Sequence, residues 1–160
     1  MADDRGVTLL VLRHAKAVDG DDMADAARPL APRGRRDAAA AGEWLRARGL
    51  VPDAVLCSTA VRTRETLDGL ALDADVAYEP LLYDNDVDVA ARLVREAPEN
   101  ARTLLVVGHN PSMQQLVYDL AGEGPSAYPT CTLSVIDFDG GWPAAWPGTG
   151  TLRTVRSPKD

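Results

Sequence analysis

The chain has 160 residues, of which 46% are apolar and 26% are charged, and 24 acidic against 17 basic residues give a formal net charge of −7. This composition is typical of one globular domain, so we expect residues 1–160 to form a single domain. The acidic balance argues against a nucleic-acid partner, because such binding needs a surplus of Lys and Arg. No run reaches the roughly 18 apolar residues that a membrane helix needs, so we expect no membrane partner.

Residues 1–6 carry acids where a secretory signal peptide has basic residues followed by an apolar core. We therefore expect a cytoplasmic protein. Cys57 and Cys131 each lie among apolar neighbours, and their separation fits no metal or redox motif. We expect both to be buried free thiols.

Strand and helix patterns alternate along the chain, which predicts an α/β fold with a mainly parallel sheet. In the first half we predict, in chain order, a strand at Thr8–Leu12, a helix from Pro32 to about Gly49, a strand at Ala54–Cys57, a helix capped by Ser58 or Thr59, and a weak strand at Val76–Tyr78. In the second half we predict a helix that ends before Pro98, a strand at Thr103–Val107, a helix that Asn110 caps and Gly122 ends, a strand at Thr132–Phe138, and an edge strand at Thr151–Val155. Apolar periodicity, caps and glycine or proline boundaries support these assignments.

The chain has two histidines, and both end the same local pattern, TLLVLRH at Thr8–His14 and TLLVVGH at Thr103–His109. Five of the seven positions are identical. Each histidine leaves the carboxyl end of a predicted buried strand, which is the edge where open α/β sheets bind ligands. We therefore expect His14 and His109 at one site.

Two arginines indicate the ligand of that site. Arg13 ends an aliphatic strand, where a guanidinium is costly unless an anion or a carboxylate satisfies it. Arg62 lies about one turn into the helix after the second strand, and the amino terminus of a helix favours anions. A phosphoryl group, with about two negative charges and three acceptor oxygens, fits two arginines and two imidazoles.

Other charged groups have simpler interpretations. Asp19, Asp21, Asp22 and Asp25 lack the ligand spacing of a calcium loop, so we interpret them as loop acids and expect no metal. The sequence contains no Gly-rich phosphate loop of the Walker type, and we expect no cofactor. Four further arginines are interpreted as solvent-facing: Arg33, Arg35, Arg36 and Arg64.

Four segments, in this order, resemble the histidine phosphatase superfamily and, within it, the SixA-type phosphohistidine phosphatase branch. They are Arg13–Lys16 (RHAK), Asp25–Leu30 (DAARPL) with Gly34 four residues on, Ser58–Thr66 (STAVRTRET) and Val107–Pro111 (VGHNP). The resemblance extends from about Val7 to Val155. Thr59 stands where the family usually has proline, and Ser112 stands where glycine is common.

The resemblance implies a three-layer α/β/α sandwich of the phosphoglycerate mutase type. It also implies that His14 is the nucleophile, that Arg13, Arg62 and His109 bind and stabilise the phosphoryl group, and that neither a metal nor a cofactor is needed. The family uses an acid or base near the leaving group. Asp84, after a Leu-Tyr pair, matches that carboxylate best; a helix or turn cap is the other interpretation, and Asp86 and Glu79 are the next candidates.

The chain has little spare length for a lid, so we expect an open, shallow site. Such a site suits a phosphohistidine on a protein better than a small sugar phosphate. Two alternatives remain at this stage: a phosphomonoesterase acting on a small phosphorylated metabolite, and a non-catalytic binder of phosphate or of a phosphoprotein. The sequence leaves the physiological substrate and the oligomeric state open.

Overall fold

The computed structural model describes residues 6–158. Its strands are β1 (Val7–Arg13), β2 (Ala54–Ser58), β3 (Asp75–Glu79), β4 (Thr103–Gly108), β5 (Leu133–Phe138) and β6 (Gly150–Arg156). They form one sheet in the order β3-β2-β4-β1-β5-β6, in which the first four strands are parallel and β5 and β6 are antiparallel to their neighbours. The predicted, mainly parallel sheet is confirmed. Residues 1–5, which carry most of the argument against a signal peptide, lie outside the described residues.

Helices cover both faces of the sheet. They are α1 (Pro32–Ala47), α2 (Val61–Leu70), α3 (Pro80–Tyr83), α4 (Val87–Arg95) and α5 (Ser112–Ala121). Successive side chains of a strand point to opposite faces, so Leu9 and Val11 enter the core under α4 and α5, whereas Leu10 and Leu12 enter the core under α1 and α2. The expected three-layer α/β/α sandwich is therefore confirmed.

The register between β1 and β4 places the two histidines together. The strands are parallel neighbours, and their repeated patterns pair residue for residue, from Thr8 opposite Thr103 to Arg13 opposite Gly108. The backbone N–H of His14 then donates to the carbonyl of Gly108, at 3.0 Å. Because each histidine is the first residue after its strand, both emerge at the carboxyl edge of the sheet.

The structure corrects two predicted helix starts. The residue before α2 is Ala60, and neither Ser58 nor Thr59 caps that helix with its side chain. The helix predicted to begin at Pro111 begins at Ser112, and Asn110 does not cap it. Three further elements were not predicted from the sequence: α3 and two short 3-10 helices, Asp25–Ala27 and Trp142–Ala144.

Cys57 and Cys131 are buried and unpaired, as predicted. Burial raises the pKa of both thiols to about 12, so neither is a reactive thiolate near neutral pH. Between residues 6 and 158, no helix combines the length and the apolar character needed to span a bilayer.

Candidate active site

A polar cavity of about 340 Å³ lies at the carboxyl edge of the sheet, where β1, β2 and β4 end. It is open to solvent on one side. Its lining residues are Arg13, His14, Asp25, Arg28, Arg62, Tyr83, Asn85, His109 and Asn110. The cavity therefore joins three arginines, two histidines and one carboxylate at the edge where the sequence predicted a ligand site.

His14 is buried and held in one tautomer. Its Nδ1 lies 2.8 Å from the carbonyl oxygen of Ala15, and because a carbonyl can only accept, Nδ1 must carry the proton. Its Nε2 therefore has a free lone pair. Burial, followed by the nearby His109 and arginines, lowers the pKa of His14 to about 3, so the ring is neutral near pH 7.

His109 lies beside His14, with ring centroids 5.4 Å apart. Its Nε2 is 2.8 Å from the hydroxyl of Ser58, a fully buried side chain at the end of β2. Its Nδ1 is buried, and no described protein group bonds to it. Burial, with Arg62 as the next cause, lowers the pKa of His109 to about 4.

The guanidinium groups of the two predicted arginines, Arg13 and Arg62, donate some of their hydrogen bonds to other protein groups. Arg13 donates from Nη1 to the carbonyl of Tyr128, at 2.9 Å. Arg62 donates from Nη1 to the carbonyl of Asp25, at 2.8 Å, and from Nη2 to the Asp25 carboxylate, at 3.0 Å. Burial lowers the pKa of Arg13, and the neighbouring Arg62 lowers it further.

Three buried nitrogen atoms around the cavity have no hydrogen-bond partner among residues 6–158: Nε of Arg13, Nε of Arg62 and Nδ1 of His109. Buried donors without partners are rare in folded proteins, because no hydrogen bond offsets the free-energy cost of removing the donor from water. An anion in the cavity offers the acceptor oxygens that such donors lack. These nitrogens are therefore candidates to bind the phosphoryl group expected from the sequence.

Asp25 is part of this site, and its interpretation as a loop acid is wrong. It begins a 3-10 helix, and its carboxylate accepts from the hydroxyl of Tyr83, at 2.6 Å, and from Nε of Arg28, at 3.0 Å. The Tyr83 hydrogen bond, together with Arg62 and Arg28, holds the pKa of Asp25 well below its usual range. The same bond raises the pKa of Tyr83.

Asn85 connects the turn after α3 to the turn after His109. Its backbone has a left-handed φ of 62°, and its side-chain oxygen accepts from the N–H of Ser112, at 3.0 Å. Its side-chain amide donates to the carbonyl of Asn110. Asn110 in turn donates to the carbonyl of Tyr128, at 3.1 Å, which also accepts from Arg13. Asn85 thus supplies the acceptor at the start of α5 that the sequence analysis assigned to Asn110.

The structure brings together four of the five predicted site residues: His14, Arg13, Arg62 and His109. Asp84 is exposed, follows the last residue of α3 and does not line the cavity. Asp86 caps α4 by accepting from two backbone N–H groups, and Glu79 lies at the start of α3. The segment predicted to supply an acid instead contributes Tyr83 and Asn85, which no sequence signal identified.

Asp25 and Arg28 could have been identified as site residues from the sequence, because both belong to the DAARPL segment that carries the family resemblance.

Within the described part of the chain, no group of three or more His, Cys, Asp or Glu side chains is placed so that it could hold a metal ion.

Comparison with known proteins identifies the family. Residues 9–90 match the model of the histidine phosphatase superfamily, branch 1. The uncharacterized protein Rv1276c of Mycobacterium tuberculosis is 39% identical over 158 residues, which cover 92% of this chain and 100% of that protein. The phosphohistidine phosphatase SixA of Escherichia coli is 29% identical over 157 residues, which cover 94% of this chain and 93% of that protein.

Solved structures agree with this result. A Nakamurella multipartitia protein, provisionally assigned as phosphohistidine phosphatase SixA, has a TM-score of 0.87 and 35% identity, and the match covers 96% of each chain. The protein histidine phosphatase SixA in complex with tungstate has a TM-score of 0.84 and 25% identity, and the match covers 96% of this chain and 98% of that one. The chain therefore belongs to the histidine phosphatase superfamily, in its SixA-type branch. Members of this superfamily are phosphatases and mutases.

Proposed function

We propose that this protein is a metal-independent phosphatase that forms a phosphohistidine intermediate on His14 and acts on phosphohistidine carried by proteins. The observation that carries the proposal is the state of His14. The Ala15 carbonyl fixes its proton on Nδ1, and burial keeps the ring neutral, so Nε2 is a free nucleophile at the cavity.

The first step transfers the phosphoryl group to the enzyme. Nε2 of His14 attacks phosphorus, the bond from phosphorus to the imidazole nitrogen of the substrate breaks, and the leaving imidazole takes up a proton from solvent. In the second step a water molecule attacks phosphorus, and the bond to Nε2 breaks with its electrons returning to Nε2. His14 is then neutral again, and the proton of the water passes to the released phosphate or to solvent. Dividing the displacement in this way replaces one difficult step by two easier ones.

Arg13, Arg62 and His109 stabilise the charge on the phosphoryl oxygens in both steps. In this assignment the Ser58 hydroxyl donates to Nε2 of His109, which leaves the proton of His109 on Nδ1, the atom without a protein partner. Donors that are already oriented need no rearrangement as charge develops. A SixA-type neighbour was solved in complex with tungstate, an oxyanion similar in shape to phosphate, and this supports an anion as the ligand.

Two features support phosphohistidine as the substrate. The cavity is open to solvent, and it is accessible to a phosphoryl group that protrudes from a protein surface. Its one lining carboxylate, Asp25, is held in the ionised form and so is a poor proton donor near neutral pH. A phosphorus–nitrogen bond is weak and tolerates this, whereas an alkoxide leaving group needs an acid.

The test is a comparison of kcat/KM for three substrates with the full chain: a histidine-phosphorylated protein, p-nitrophenyl phosphate and a sugar phosphate. We expect the highest value for the phosphohistidine protein and none above background for His14→Ala. A preference for the sugar phosphate would assign the protein to small-metabolite hydrolysis. Binding of phosphate without turnover of any of the three would make it a non-catalytic binder.

A further inference from the structure

We propose that Asp25 is a built-in competitor of the phosphoryl group, whose negative charge limits how tightly the cavity holds phosphate and so promotes product release. The inference rests on the proposed function only in that phosphate is taken as the product. It concerns a residue that the mechanism above does not use.

Asp25 occupies donors of the arginine that faces the ligand. Arg62 is buried, and Asp25 takes both of its terminal nitrogens, Nη1 through the backbone carbonyl and Nη2 through the carboxylate. Nε has no hydrogen-bond partner among residues 6–158, and each terminal nitrogen keeps a second N–H. A phosphoryl group that binds Arg62 must therefore share one guanidinium with a carboxylate, or displace that carboxylate from it.

The carboxylate is held in place from two further sides. Tyr83 donates to the same oxygen that accepts from Arg62, and Arg28 donates to the other oxygen. These bonds also keep Asp25 ionised over the whole neutral range. Asp25 is therefore negatively charged near neutral pH. This charge opposes a bound anion whether the side chain keeps its position or shifts when the anion enters.

The charges of the cavity explain why such a competitor is useful. Arg13, Arg28 and Arg62 face one small space, and a phosphate dianion among three cations in a partly buried site is bound strongly. Tight binding of the product slows turnover, because the next cycle cannot begin until phosphate dissociates. A carboxylate near the phosphate weakens the complex with the free product, which carries about two negative charges.

The experiment is a calorimetric titration of the full chain with inorganic phosphate, for the wild type and for Asp25→Asn. Asparagine has nearly the same shape and keeps an acceptor oxygen for Arg62, so the variant removes mainly the charge. We expect phosphate to bind Asp25→Asn about tenfold more tightly, which corresponds to about 1.4 kcal/mol. Product inhibition in a turnover assay should strengthen by a similar factor, with kcat reduced more than kcat/KM.

Asp137→Asn is the matched control. Asp137 also pairs with an arginine, Arg153, but the pair joins β5 to β6 and does not line the cavity. The phosphate affinity of the Asp137→Asn variant should equal that of the wild type. If Asp25→Asn folds poorly by circular dichroism, Asp25→Ser and Asp25→Ala are the second variants, because the side chain is half-exposed and leaves no apolar cavity.

Unchanged or weaker phosphate binding by the folded Asp25 variants would overturn the inference. Weaker binding would show that Asp25 serves instead to orient Arg62. The titration involves no turnover, so its result is independent of whether His14 forms a phosphohistidine and of which substrate the protein hydrolyses.

Discussion

The imidazole rings of His14 and His109 lie 5.4 Å apart, centroid to centroid, with an angle of 57° between their planes. Arg13 and Arg62 lie in the same cavity, so a proton on either ring would add a further positive charge to a crowded cationic site. Burial and these neighbours lower the pKa of His14 to about 3 and that of His109 to about 4. Near neutral pH the two rings are therefore an uncharged pair.

This charge state can be observed directly by NMR. The chain has two histidines, so the imidazole ¹⁵N signals of the untagged protein are few and are assigned by His14→Ala. We expect neither ring to titrate near pH 6.5, the usual value for histidine, and both to stay neutral down to about pH 5. A midpoint near pH 6.5 for either ring would contradict the neutral-pair interpretation.

The same shifts give stability a defined pH dependence. An unfolded chain binds protons on both histidines below about pH 6.5, whereas the folded chain does not until its lower pKa values are reached. The unfolded state is therefore favoured as the pH falls from about 6.5, and the urea midpoint should be lower at pH 5 than at pH 7. Asp25 and Asp137, whose pKa values are depressed, add to this loss only at still lower pH.

Replacing the proposed nucleophile, His14, should abolish the reaction. His14→Ala removes Nε2, and the remaining anion-binding groups cannot form a covalent intermediate, so kcat should fall by several orders of magnitude. In the wild type, labelled substrate should leave an acid-labile, base-stable label on His14. A label on Ser58, Cys57 or Asp84 would instead exclude His14 as the nucleophile.

Asp84→Asn tests the acid that the sequence indicated. Because Asp84 is exposed and outside the cavity, we expect less than about a threefold loss of kcat/KM for phosphohistidine, p-nitrophenyl phosphate and an alkyl phosphate alike. Removing a functional general acid typically costs about 10²–10⁴-fold, and the cost is greatest for the poorest leaving group. A large loss confined to the alkyl phosphate would therefore show that Asp84 reaches the leaving group.

Asn85 allows its side chain and its backbone conformation to be tested separately. At a φ of 62°, glycine is unstrained and alanine is strained. Asn85→Gly should keep the fold but lose both bonds to the turn after His109, which lowers kcat/KM by about tenfold and shifts the His109 imidazole signals. Asn85→Ala should in addition lower the melting temperature. An Asn85→Gly variant with wild-type activity would make this residue only a turn former.

Activity should be indifferent to chelators. Both histidines are assigned to the phosphoryl group, and the catalytic scheme requires no water activated by a metal ion. Incubation with EDTA followed by gel filtration should leave kcat unchanged, with a known metallophosphatase as the positive control. Activity that EDTA abolishes and one divalent ion restores would require a different mechanism.

The sequence predicted the fold and the centre of the site well, because both depend on local patterns. Aliphatic runs gave the strands, and the repeat that ends in His14 and His109 indicated their shared edge of the sheet. The partners Asp25, Tyr83 and Asn85 could not be predicted in their present roles, because each acts on a residue that is distant in the chain. Asp25, for example, contacts Arg62 across 37 positions of sequence.

The capping errors have a similar cause. Ser58 and Asn110 are good cap residues by type, and local sequence gives no reason to exclude them. In the folded protein their side chains bond to His109 and to Tyr128 instead. Hydrogen bonds to residues distant in the chain thus replaced the predicted capping bonds. Local sequence patterns cannot predict which of the two a side chain forms.

The segment that precedes β5 determines when the site becomes complete. Because β5 runs antiparallel to β1, the N–H of Cys131 reaches the carbonyls of Arg13 and His14, at 3.1 and 2.9 Å, and the carbonyl of Tyr128 anchors the Arg13 guanidinium across 115 positions. Contacts so distant in sequence need the closure of a long loop, which has an entropic cost. A nascent chain that has already exposed both histidines therefore still lacks the anchor of its first arginine. The Arg13 guanidinium acquires its Tyr128 contact only when the segment from Tyr128 to the end of β6 has joined the sheet.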